Sequence, residues 1–141
     1  MWYLGDSDGE LTAIDARKGG SKGGAKVWSL EAHSKKVQTV DVHPRDANYV
    51  VTSSLDKESC LWDVRKMGGG KKPKPVATMP DTRSVSCGLF NPTGDRLVTV
   101  GMSNSLNLYK WDDLKRGTGS RAAHVNHNNQ TGRYDGGEES A

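Results

Sequence analysis

The side chains best able to do chemistry are four histidines, two cysteines and a scatter of carboxylates. A protein metal site needs three or four such ligands at fixed spacing. The nearest pattern is His124-x-x-His127, within AAHVNHNNQTGR, and it has neither a cysteine nor an acidic third ligand beside it. No metal is expected. Covalent or phosphoryl chemistry has no better foothold. The chain lacks a Gly-x-Ser-x-Gly elbow, a P-loop and paired carboxylates in an apolar setting. Cys60 and Cys87 lie inside apolar segments without Cys-x-x-Cys spacing, which suits buried, reduced thiols of the cytosol or nucleus. The chain therefore reads as non-enzymatic, with no catalytic residue and no cofactor. What remains is recognition by charge. Net charge is only +3, which permits a polyanionic partner without demanding one, so any basic surface must come from local clustering.

The elements that must position those charges are short. About a third of the 141 residues are apolar, glycine is abundant, and no run approaches the ~18 apolar residues of a membrane helix. The N-terminus MWYLGDSDGE has no basic stretch followed by an apolar core, so neither secretion nor a membrane partner is expected. Runs such as VWSL, VQTVDV, YVVTS and CLWDV read as strands, and VATM, VSCGLF, RLVTV and LNLYK follow as a second set. The two sets superimpose. Val37–Pro44 matches Val85–Pro92 about 48 residues on, and Trp62 falls on Tyr109. GDSDGELTAID aligns with TSSLDKESCLWD, which places Asp15 on Asp63.

A four-stranded repeat of this length closing on Trp-Asp resembles the WD-repeat β-propeller family. One small twisted sheet cannot bury both faces alone, and stacking around an axis buries them against neighbours. The expected fold is all-β: about three four-stranded antiparallel blades of a larger ring. Residues 1–17 are read as the end of a first blade, entered inside its second strand, and 18–26 as a Gly/Lys loop. Residues 27–66 form a complete WD blade, 67–75 a Gly/Lys/Pro loop, 76–113 a second complete blade, and 114–141 a loop with a polar, disordered tail. Such a piece, standing alone, is expected to be marginal or aggregation-prone, because its outer blade faces lie bare. In blades of this family the Trp indole donates to a Ser or Thr of the second strand, which links to a His and a turn Asp. The matching residues are Trp62, Thr52 or Ser54, His33 and Asp56. The following unit departs from this pattern, with Tyr109 for Trp, Ser103 for Asp56 and no histidine in the place of His33.

Longer strings narrow the resemblance. VWSLEAHSKKVQTVDVHP, VVTSSLDKESCLWDVRKM, TRSVSCGLFNPTGDRLVTV and HNNQTGR are similar to the fungal DNA damage-binding WD-repeat proteins. They are more distantly similar to the small propeller subunit of the damage-specific DNA-binding complex. That resemblance implies a seven-bladed, nuclear propeller that binds single- or double-stranded DNA, preferably UV-damaged, on its narrow channel face. It puts Lys35, Lys36 and Arg83 in turns facing DNA, and the loop bearing Asn128, Asn129, Gln130 and Arg133 near the lesion. Amides stand there in place of an aromatic wedge. Trp62-Asp63-Val64-Arg65, echoed by Ile14-Asp15-Ala16-Arg17, resembles the docking box of cullin-4 ubiquitin ligase substrate receptors. Asp63, Arg65, Asp15 and Arg17 would then meet the ligase adaptor, unless each Asp–Arg pair merely ties down its own turn. The rival function is a protein-interaction scaffold that binds the ligase adaptor or histones without touching DNA.

Overall fold

A computed structural model of the chain describes residues 1–126. Among these residues eleven strands form three antiparallel sheets, in line with the all-β blades expected from the repeat. The first sheet contains β1 (Trp2–Gly5), β2 (Glu10–Asp15) and β3 (Ala25–Glu31). The second contains β4 (Val37–Val42), β5 (Tyr49–Ser54), β6 (Glu58–Asp63) and β7 (Ala77–Pro80). The third contains β8 (Val85–Phe90), β9 (Arg96–Gly101), β10 (Ser105–Lys110) and β11 (Ala123–Asn126), with the one-turn helix α1 (Trp111–Lys115) leading towards β11.

Sequence unit and sheet are offset by one strand. β3 opens the unit 27–66 in sequence but pairs with β2, and β7 opens the next unit but pairs with β6. Each repeat thereby ties two sheets together covalently. Within 114–141, read as loop and tail, residues 123–126 instead form β11 against β10. All four of its residues are exposed, so no hydrophobic alternation marks it, and backbone pairing alone defines it.

The middle sheet shows why alternation fails as a guide there. Its strands β5 and β6 are buried at five consecutive positions, because neighbours cover both faces. β2 keeps the period of two expected of a strand with one covered face. Leu11, Leu30, Cys60 and Trp62 fill the space between the first and second sheets. Val51, Leu61, Met79, Leu97, Tyr109 and Leu114 fill the space between the second and third. The second and third sheets approach closely at Gly88 of β8, where a Cβ would stand 2.6 Å from Oγ of Ser53 on β5. Side chains of β4 tie down β8 there: Thr39 Oγ1 accepts from the Gly88 amide (3.2 Å) and Asp41 Oδ2 from the Phe90 amide (2.9 Å).

Candidate nucleic-acid interface

Antiparallel strands send successive turns to opposite ends of the sheets. One end gathers the β1–β2, β3–β4, β5–β6, β7–β8 and β9–β10 turns. Main-chain bonds stitch them together: Val37 to the Asp6 carbonyl (2.9 Å), Asp81 to Lys57 (2.8 Å) and Met102 to Ser84 (2.9 Å). Lys35 and Lys36 lie in the β3–β4 turn and Arg83 in the β7–β8 turn, so all three occupy this end and all are exposed. The two Gly/Lys insertions leave from the other end, along with Arg17 and Arg65.

A buried chain of hydrogen bonds holds the β3–β4 turn in place. The Trp62 indole N–H donates to Thr52 Oγ1 (2.9 Å), whose hydroxyl donates to His33 Nε2 (2.7 Å), and His33 Nδ1–H donates to Asp56 Oδ2 (2.9 Å). Each donor meets one acceptor, which fixes the tautomer of the neutral His33, a residue 4% exposed. The second oxygen of Asp56 accepts from the Glu58 amide, and Oδ2 also takes the Ser34 amide (3.2 Å). Ser54 is not in this chain. Its hydroxyl contacts the carbonyls of Lys35 and Lys36 (3.1 and 2.8 Å), pinning the backbone from which the two lysines project.

The third sheet solves the same problem differently. Asp81 stands where His33 does, and its Oδ2 accepts from Ser103 Oγ and from Asn107 Nδ2, both at 3.2 Å. Tyr109 fills the tryptophan position, and burial pushes its phenol up. Ser84 Oγ donates to the Leu55 carbonyl (2.9 Å), fastening the Arg83 turn to the middle sheet.

One cation on this end was not singled out from sequence. Lys57 sits in the β5–β6 turn with φ of 75° and lines a shallow recess of roughly 510 Å³ with Thr82, Arg83 and Met102. Only the Asp-Lys turn, where a non-glycine residue turns left-handed, could have drawn attention to it. Asn128, Asn129, Gln130 and Arg133 lie outside the described residues.

At the opposite end, Asp63 Oδ1 accepts from the Arg65 amide and Nε, both at 3.0 Å, and Oδ2 accepts from Nη2 at 2.9 Å. This fork holds the Asp63 carboxyl below its usual range, and the guanidinium also lies 5.7 Å from the centre of the Tyr49 ring. Asp15 and Arg17 repeat the turn more loosely. The Arg17 amide is the leading cause of the lowered Asp15 carboxyl, its side chain makes a single 3.4 Å contact, and that side chain is 89% exposed.

Comparison with known proteins fits this architecture. The family described as WD domain, G-beta repeat matches residues 24–63. The chain is 32% identical to DNA damage-binding protein 2 of Mus musculus over 95 residues, covering 65% of this chain and 22% of that protein. It is 33% identical to DNA damage-binding protein cmr1 of Aspergillus oryzae, covering 94% of this chain and 26% of that protein. It thus spans about a quarter of the length of these curated relatives. Among solved structures, a chain of the Mitotic Checkpoint Complex crystal structure superimposes with a TM-score of 0.70 at 19% identity, over 89% of this chain and 36% of that one. With a matched repeat, three antiparallel sheets stacked face to face and the Trp-Thr-His-Asp chain inside the middle one, the protein belongs to the WD-repeat β-propellers.

Proposed function

We propose that the chain is a non-enzymatic, nuclear DNA-binding module of the DNA damage response, preferring UV-damaged DNA. The observation that carries this reading is the common end of the sheets on which Lys35, Lys36, Lys57 and Arg83 project from turns fixed by buried side chains. Cations on rigid turns of neighbouring sheets suit phosphate contacts, which position a duplex without reading its sequence. The names of the relatives point the same way. Preference for damage needs no direct readout, since a lesion that weakens stacking lowers the cost of bending or flipping.

A gel shift on irradiated and intact duplex tests this. The full chain is expected to bind the irradiated duplex more tightly, with affinity falling steeply as salt rises. Changing Lys35, Lys36 and Arg83 together to glutamate should abolish the shift. Unchanged binding would remove this face from the reading. The second reading, a scaffold docking a cullin-4 ligase adaptor, is favoured by one observation: Arg17 is far less engaged by its aspartate than Arg65 is. On that reading Arg17→Ala loses adaptor capture in a pull-down, Arg65→Ala loses less, and neither alters DNA binding.

A further inference from the structure

Of the seven arginines among the described residues, four are already engaged. Among the described residues Arg17, Arg65, Arg96 and Arg116 each pair with an aspartate, whereas Arg45, Arg83 and Arg121 have no carboxylate within ion-pair distance. Two of those three are linked by a shared neighbour. Thr82 lines the recess of Arg83 and also a larger crevice of roughly 770 Å³, between β7 and the β10–β11 pair, that holds Arg121 and His124.

That crevice is built from the inside. Asn107 is 1% exposed, and its Nδ2 donates to Asp81. A carboxylate only accepts, so the amide orientation is fixed and Oδ1 must face the other way. There it accepts from Arg121 Nη1 (3.0 Å) and lies 2.8 Å from His124 Nδ1, which is itself 2.9 Å from the same Nη1. Asp81 itself is the floor. Beyond Ser103 and Asn107, its Oδ1 accepts from the amide of Thr82 (2.6 Å) and from the Thr82 hydroxyl (3.3 Å). Arg121 is therefore held through Nη1 alone, by the Asn107 amide oxygen and beside the His124 ring, and its Nε and Nη2 have no hydrogen-bond partner among the described residues. A guanidinium anchored in this way keeps its fork for a planar or tetrahedral oxyanion.

We propose that this crevice seats a backbone phosphate of the bound nucleic acid, extending the path of Lys57 and Arg83 outward over Thr82 to Arg121. The inference rests on the DNA-binding reading above. It adds a contact away from the channel, in the seam between two blades. Ser105 and Asn126 line the same seam and supply further polar groups for the phosphate oxygens.

The test is fluorescence anisotropy of a labelled duplex with the full chain, titrated between about 50 and 200 mM salt. Arg121→Gln is expected to weaken binding several-fold and to lower the log–log salt slope by about 0.9, the loss of one phosphate contact. Arg121→Lys keeps the charge and should keep the slope, which separates a phosphate contact from a purely structural role. Wild-type affinity and slope in Arg121→Gln, with binding still lost in the Lys35, Lys36 and Arg83 triple variant, overturn the seat while leaving the DNA face intact. Weaker binding with an unchanged slope also overturns it. A wild-type chain that binds no DNA overturns both readings. Inorganic phosphate should compete no better than sulfate at equal ionic strength, and stronger competition would assign the crevice to a free phosphate instead of the polymer.

Discussion

Thr52→Val is the sharpest probe of the buried chain beneath the basic turns. The two side chains are close in shape, so the change removes one hydroxyl and leaves packing almost untouched. That hydroxyl serves two partners at once, accepting from the Trp62 indole at 2.9 Å and donating to His33 Nε2 at 2.7 Å. Trp62, His33 and Thr52 are all at most 4% exposed, so water cannot replace either bond without opening the sheet. Each orphaned buried group costs about 1–3 kcal/mol, which puts the substitution at about 2–6 kcal/mol. Urea unfolding of the full chain, followed by circular dichroism, measures it. Trp62→Phe in the same background removes the orphaned N–H, so the double variant should fall short of the summed single losses by about 1 kcal/mol or more. A loss below about 1 kcal/mol for Thr52→Val, or strict additivity in the cycle, would refute the view that one hydroxyl couples strand to turn.

Three further outcomes follow from particular contacts. Because Arg65 holds the Asp63 carboxyl below its usual range, the stabilisation from this pair is fully present above the ordinary carboxylate pKa of about 4 and is lost as pH falls through the lowered native value. Asp63→Asn should therefore cost stability at neutral pH and flatten that acid limb in unfolding curves taken across pH. Burial pushes the Cys60 thiol up to about 12, so a thiol reagent at pH 8 should label Cys87, which is half-buried, and leave Cys60 untouched until denaturant is added. Equal labelling rates would show the seam between the first two sheets to be open. Gly88→Ala pushes a methyl group to 2.6 Å from Ser53 Oγ and should destabilise by about 1–3 kcal/mol, part of which Ser53→Ala restores.

How much of this was legible in sequence depends on the period of the signal. The repeat, the strands and the residue types around Trp62 could be read because each recurs at a fixed interval, and one matched interval supports the next. The choice between Thr52 and Ser54 could not. They are two apart on β5 and share a face, and only pairing decides: Thr52 sits opposite Cys60, one pleat from Trp62, whereas Ser54 reaches the strand end beside the Lys35 and Lys36 carbonyls. β11 escaped because its four residues carry no buried face. Arg121 escaped for a related reason. Its significance lies in a missing carboxylate and in an amide oriented by Asp81, and both are properties of neighbours brought together from three different strands and turns.

The same contacts bear on what the basic face can do. Asp56 receives His33 and the Ser34 amide through one oxygen, so the carboxylate that completes the buried chain also fixes the backbone next to Lys35. Ser84 anchors its turn to the Leu55 carbonyl, and Ser54 of β5 holds the carbonyls of Lys35 and Lys36. Cations on flexible arms can follow a duplex of any shape and gain nothing from its deformability. Cations fixed at set spacings attract most strongly the duplex that bends to meet them, and a lesion makes that bend cheaper. Damage preference should then vary with the stiffness of the turns. Thr52→Val, which touches no residue of the basic face, should narrow the ratio of irradiated to intact affinity under conditions where the variant remains folded.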